Sequence, residues 1–239
     1  MESVLKVRYL IKYTKESNIK FIAHLDLMRT IQKIIRRAEL PVKYSNGFNP
    51  HMSLSIAQPL SVGVYSNGEY LDLILVEEVN EEEIINRLNE KTASGIRFLE
   101  AKKIVEKENV KKLPQAMALI DACRYTVKIA YKNIDNVLKE MDDLTTNQKE
   151  WKIIKETKTS TKEVDIKPMI FEIKYWIKDN SLVLNLLLRS GSREHLSADL
   201  VVKYIKMHTT NVKDAFVDIR REEMYFYKQE KLEPLYNCR

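Results

Sequence analysis

Apolar and polar residues alternate through residues 4–13 (VLKVRYLIKY), the period of two expected of a strand. The period then lengthens. Between 25 and 38, Leu27, Met28, Ile31, Ile34, Ile35 and Ala38 recur at helical spacing, with Arg29, Lys33, Arg36 and Arg37 on the opposite face. Leu40-Pro41 ends that helix, because a residue before proline avoids the helical region. Short extended stretches are predicted at 42–45 and 53–57, and a buried strand at 69–76 (EYLDLILV). Asn80, followed by acids in the first turn, caps a helix reaching about residue 89. Residues 96–104 are strand-like, which completes the order β-α-β-β-α-β.

The charged stretch 105–113 before Pro114 reads as a linker. Beyond it the pattern restarts: strand at 122–131, helix at 134–144, strand at 151–157, then a polar loop (KTSTKE). Asp179-Asn180 turns a hairpin between strands at 171–177 and 181–189. A helix at 197–207 and a final strand at 212–221 close the chain. The second half therefore repeats the order of the first with an extra strand or two. The expected class is α+β: two tandem ferredoxin-like (βαββαβ) domains, over 1–108 and 117–239. Each would bury one face of a four-stranded sheet under two helices and leave the other available.

Composition narrows the setting. With 44% hydrophobic and 31% charged residues the chain is globular. No run of 18 apolar residues exists, and the N-terminus lacks the apolar core of a signal peptide, so a cytoplasmic, non-membrane protein is expected. Cys123 and Cys238 are too few and too far apart for a cluster or zinc site, and no metal or cofactor is expected. P-loop, GxGxxG, GxSxG and HExxH signatures are all missing. The net charge of +6 is unevenly spread. Residues 1–43 hold ten Lys or Arg against four acids; residues 44–86 hold seven acids and no Lys or Arg. Such polarity fits a directional surface for an anionic partner, and equally two helices with solvated faces of opposite sign.

Residues 21–72 are denser in chemistry than packing requires. They read FIAHLDLMR, then YSNGFNPHMSLSIAQPLSVG, then EYLD. A loop rich in Asn, Gly and Pro on a rigid scaffold builds sites. His24, near the start of the basic helix, suits general acid/base work, phosphate contact or a plain cap position. His51 is the second candidate catalytic histidine. Ser45, Gly47, Asn49, Ser55 and Glu69 are expected around a motif pocket. Tyr44 and Phe48 flank the turn, where they can stack on a base or anchor the turn to the core. Glu69 and Asp72, three apart on a strand, must face opposite ways and cannot form a carboxylate pair. Farther on, Arg189-Ser190-Gly191-Ser192-Arg193 precedes a helix N-terminus, a pattern able to cradle phosphate. The candidate nucleic-acid contacts are thus Arg29, Lys33, Arg36, Arg37, Tyr44, Phe48, Arg189 and Arg193. The site reading expects the histidine-bearing loop and the arginine side of the first helix to share one solvent-facing hollow.

The stretch FxxHLDLMR…RRAxLPVxYSxGFNPH…S…PLxVGxxSxxEYLD resembles the radical-SAM-linked protein family, and MALIDACRYTV and LRSGSRE continue the likeness. The family shows His-Pro where this chain has His51-Met52, and Phe where it has Ile56. The resemblance implies a radical S-adenosylmethionine enzyme as partner and supplies no catalytic residues. A looser, fold-level similarity is to the CRISPR repeat-processing endoribonucleases. Three functions follow as expectations: an accessory module that holds a structured RNA for the radical enzyme in RNA modification or processing, a metal-independent endoribonuclease using His24 or His51, or a protein scaffold for the radical enzyme without nucleic acid.

Overall fold

The computed structural model describes residues 6–105, 112–156, 161–192 and 194–238. The elements, in chain order, are β1 (Val7–Lys15), α1 (His24–Arg37), β2 (Leu54–Ile56), β3 (Tyr65–Leu75), α2 (Glu81–Glu90), β4 (Phe98–Ile104) and α3 (Ala116–Leu119). There follow β5 (Ala122–Ala130), α4 (Val137–Asp142), β6 (Lys152–Glu156), β7 (Thr161–Asp165), β8 (Ile170–Lys178), β9 (Ser181–Arg189), α5 (Ala198–His208), β10 (Asp218–Lys228) and β11 (Lys231–Pro234). The class is α+β. Two compact units emerge, one of residues 1–120 with 223–239 and the other of residues 121–222. The division read from the sequence puts 117–239 together; the structure returns the last residues to the first unit. The linker read at 105–113 lies largely outside the described residues.

In the first unit β4, β1 and β3 run side by side, both pairings antiparallel. β2 pairs with β3 over Leu71–Leu73, and β11 with β10. Strand alternation then sorts the side chains. Tyr9, Ile11, Tyr13, Leu71, Leu73 and Leu75 join one core with Leu27, Ile31, Ile34 and Ile35 of α1 and Ile84 and Leu88 of α2. The helical stripe seen in the sequence is this contact. α1 stops at Arg37, ahead of Leu40-Pro41, because Glu39 turns left-handed at φ 52°. Arg87 of α2 donates to the carbonyls of Ala38 (2.9 Å) and Glu39, closing the open helix end. Asn80 caps α2, accepting from the amides of Glu82 (2.9 Å) and Glu83 (3.3 Å). The stretch expected as a strand at 42–45 keeps only two isolated bridges, Val42 with Leu75 and Tyr44 with Met52.

The sheet face turned from the helices, expected to be available, is partly covered by the chain itself. Segment 113–116 crosses it, and Lys102 donates to the carbonyl of Tyr236 (3.0 Å). Leu10 and Tyr70 are buried there.

Gly95 lets the turn after α2 sit against the short helical turn Ser17–Ile19. Its φ is +91°, and a Cβ there would lie 2.6 Å from Ile19 Cγ2 and 2.8 Å from Asn18 Oδ1. Gly95→Ala therefore meets both a left-handed backbone penalty and a clash with a stiff β-branched neighbour. The expected loss is about 2 kcal/mol, read as a lower urea midpoint at unchanged slope.

In the second unit β5, β9 and β8 are antiparallel neighbours, with β10 beside β5. The hairpin turn falls at Asp179 and Asn180, both at φ 50°, the left-handed pair that a tight hairpin needs. α4 continues into a wide turn, Asp143–Asn147. β6 and β7 form a separate two-stranded sheet, so the stretch read as a polar loop is in part a strand. Trp151 anchors this corner, stacked on Tyr204 (4.8 Å between centroids) with its indole N–H donating to the Leu144 carbonyl (3.0 Å). The last strand of the chain's second half begins at Asp218, later than the expected 212–221; Val212 makes only a bridge to Tyr131.

Candidate functional site

The loop that the sequence marks out, 45–51, is closed at its base. Ser45 N–H donates to the His51 carbonyl and His51 N–H donates to Ser45 Oγ, each 2.8 Å, one step beyond the Tyr44–Met52 bridge. Gly47, at φ +117° in open space, supplies the turn. The tip carries Phe48 at 112% relative exposure, with exposed Tyr44 and Asn49 beside it in sequence. A benzyl side chain held fully in water by a pinned loop gains nothing from packing.

Beneath the loop lies a cavity of about 280 Å³ in the first unit. Ser45, His51, Ser53 and Ser55 line one side, Met52, Leu54 and Ile74 give it apolar wall, and Gln115 sits at the rim. Ser55 Oγ is enclosed and has no hydrogen-bond partner among the described residues. The floor is an ion pair. Arg8 Nε donates to Asp72 Oδ1 at 2.7 Å, while its two terminal nitrogens reach the carbonyls of Leu113 (2.7 Å) and Pro114 (2.6 Å). Asp72 Oδ2 accepts from the amide of Ala116 at 2.7 Å. Every strong group of this floor is engaged, so it shapes the cavity and fastens segment 113–116 across the sheet.

The predicted residues divide accordingly. Ser45, His51 and Ser55 meet at the cavity, and Gly47 and Asn49 belong to the loop above it. His24 and Glu69 do not line it. His24 opens α1, half-buried, with Nδ1 enclosed and unpartnered among the described residues. Glu69 is buried opposite Tyr13, on the helix side of the sheet; Asp72 lies on the other face, as a period of two requires. For the same reason the cations of α1 and the cavity do not share a hollow. Arg29, Lys33, Arg36 and Arg37 project from the solvent side of the helix layer, whereas Arg8, Asp72 and Ile74 occupy the far face of the sheet. Arg29 pairs with Asp26 (3.0 Å); Lys33, Arg36 and Arg37 have no acidic partner among the described residues. In the second unit Arg189 is already engaged, paired with Glu194 at 3.1 Å and seated 5.1 Å from the Phe171 ring centroid. Arg193 lies outside the described residues. Sequence reasoning missed Arg8 and Gln115, which owe their place to strand register and to segment 113–116.

Two buried thiols complete the inventory, Cys123 and Cys238, the second pushed above the usual cysteine range by burial. Among the described residues no three His, Cys, Asp or Glu side chains gather as metal ligands, and no helix is long and apolar enough to cross a membrane.

The site thus defines an α+β protein with a small cavity of mixed polar and apolar lining under a pinned, aromatic-tipped loop. The chain belongs to a bacterial family: residues 8–198 match the family described as "Uncharacterized protein conserved in bacteria (DUF2344)". No curated protein matches it. Among solved structures it is similar to a chain of a Cbf5–Nop10–Gar1 complex, at 10% identity over 90% of this chain, with a TM-score of 0.49. It spans 48% of that chain, about half its length. It is also similar to an unknown protein from Galdieria sulphuraria, at 8% identity over 91% of this chain and 99% of the other, with a TM-score of 0.27. Neither score reaches 0.5, and neither likeness bears on function.

Proposed function

We propose that this protein is an accessory RNA-binding module of the cytoplasm, built of two ferredoxin-like units, that holds a single-stranded segment of RNA for a radical S-adenosylmethionine enzyme. The partner enzyme comes from the motif resemblance of residues 21–72. The RNA reading is carried by Phe48, a fully solvated ring on a loop closed by the Ser45–His51 hydrogen bonds. Every base has a π-face, so an aromatic platform of this kind takes single strands with little sequence preference. Lys33, Arg36 and Arg37, which have no acidic partner among the described residues, supply phosphate contacts on the same unit.

Two variants test the reading by titration with single-stranded RNA across a salt series. Phe48→Ala should weaken binding about 5- to 150-fold, the value of one stacked base. Changing Lys33, Arg36 and Arg37 together to glutamine should lower the slope of log affinity against log salt by about 2, three contacts at roughly 0.7 each. Unaltered RNA affinity in both variants would sink the proposal. Capture of the radical enzyme that survives nuclease and high salt, with no RNA bound, would instead establish a protein scaffold.

A further inference from the structure

The cavity under the loop has two cations beside it that the RNA surface just described leaves unused. Lys6 stands two residues before Arg8, and Lys43 two before Ser45; Arg8 and Ser45 both line the cavity. Side chains two apart on extended backbone share a face. Val7 and Val42 are both bridged to Leu75, one from each side of β3, so Lys43 falls beside Ile74, to whose carbonyl its N–H donates at 2.9 Å, and Lys6 lies diagonally across the strand, just before the Val7–Leu75 pair. Their ammonium groups lie close enough for Lys6 to hold Lys43 below the usual lysine range. Neither lysine has an acidic partner among the described residues. Two adjacent, unneutralised ammoniums make an arrangement that an anion completes.

The cavity itself suits a neutral, flat, hydrogen-bonding body. Ser45 Oγ accepts from His51 N–H, which leaves its own proton to donate; Ser55 Oγ is enclosed without a partner among the described residues; Gln115 offers an amide at the rim. Met52, Leu54 and Ile74 give the apolar contact that a ring needs. At about 280 Å³ the space is at the small end for ligand pockets, sized for one base and sugar and too small for a dinucleotide.

We propose that this cavity binds a single nucleotide, with its base against Met52, Leu54 and Ile74, its polar edge on Ser45, Ser55 and Gln115, and its phosphate on Lys6 and Lys43. The nucleotide is either free or part of an RNA strand splayed into the cavity; only the second source rests on the RNA-binding reading.

Calorimetry on the full chain at low salt decides. The probes are the four ribonucleoside monophosphates, inorganic phosphate, and one short RNA with and without a 5′-phosphate. At least one monophosphate should bind ten-fold or more tightly than inorganic phosphate. Lys6→Gln with Lys43→Gln, the first exposed and the second half-buried, should weaken that monophosphate at least ten-fold, and Ser55→Val should weaken it too. Glutamine at Lys33, Arg36 and Arg37 should leave monophosphate binding unchanged while reducing RNA binding. Absence of binding by all four monophosphates at millimolar concentration overturns the proposal, as does binding indifferent to the lysine and Ser55 variants. RNA binding without nucleotide binding would leave the RNA reading standing and remove this one; nucleotide binding without RNA binding would do the reverse.

Discussion

Asp72→Ala is expected to cost the first unit about 3–5 kcal/mol, the penalty of leaving one member of a buried ion pair without the other. Asp72 is 3% exposed and holds Arg8 at 2.7 Å and the Ala116 amide at 2.7 Å. Alanine removes both bonds and abandons a guanidinium that is itself mostly buried. The pair's net worth is a different quantity. Replacing both partners, Arg8→Met with Asp72→Leu, removes the desolvation cost together with the attraction, and should recover most of the loss. Urea denaturation of the two single variants and the double one measures this directly. A double variant no more stable than Asp72→Ala would mean that Arg8's bonds to Leu113 and Pro114, and not its charge, dominate. The same substitution should also loosen segment 113–116 and with it Gln115 at the cavity rim, so nucleotide affinity is expected to fall alongside stability.

What the sequence exposed of this fold follows from where period and turn chemistry were strong. Leu27, Ile31, Ile34 and Ile35 repeat at helical spacing and are buried in α1; Asn80 precedes three acids and caps α2; Asp179-Asn180 makes the hairpin turn. Signals failed where residues were forced by context. β7 (TKEVD) is almost wholly polar and is held as a strand by pairing with β6. The hairpin of β10 and β11 turns on Gln229 and Glu230, both left-handed, with no Gly, Asn or Asp to announce it. That hairpin lays β11 back along β10, and residues 223–239 belong to the first unit.

The site divides in the same way. Ser45, Gly47 and His51 were legible because a loop built from Ser, Asn, Gly and Pro has local causes. Arg8 was not: its partner Asp72 is 64 residues away, and only the register that sets Leu10 opposite Asp72 brings the two together. Strand alternation also explains why the basic side of α1 and the histidine loop serve different faces. Tyr9 and Ile11 turn toward the helices, so Arg8 and Lys12 must turn away.

Lys15→Met should destabilise the first unit by about 3–5 kcal/mol despite keeping a side chain of similar length. Lys15 ends β1 at 1% exposure, and its ammonium donates to the carbonyls of Lys20 (2.9 Å), Ile22 (3.1 Å) and Val64 (3.2 Å). A thioether donates nothing, so three enclosed acceptors lose this partner together. Arginine should fare little better, because a planar fork cannot aim three donors from one atom at three converging carbonyls. The consequence reaches the site's scaffold. Lys20 and Ile22 lead into α1 at His24, and Gly63 N–H donates to the same Lys20 carbonyl at 2.9 Å, so one ammonium ties the entry to α1 to the strap before β3. Hydrogen exchange should therefore quicken first at the amides of Ile19, Ile22 and Gly63, ahead of the central strands. A loss below about 1 kcal/mol, with those amides unchanged, would mean that water replaces the ammonium as donor at all three carbonyls and that the strap is held by other bonds.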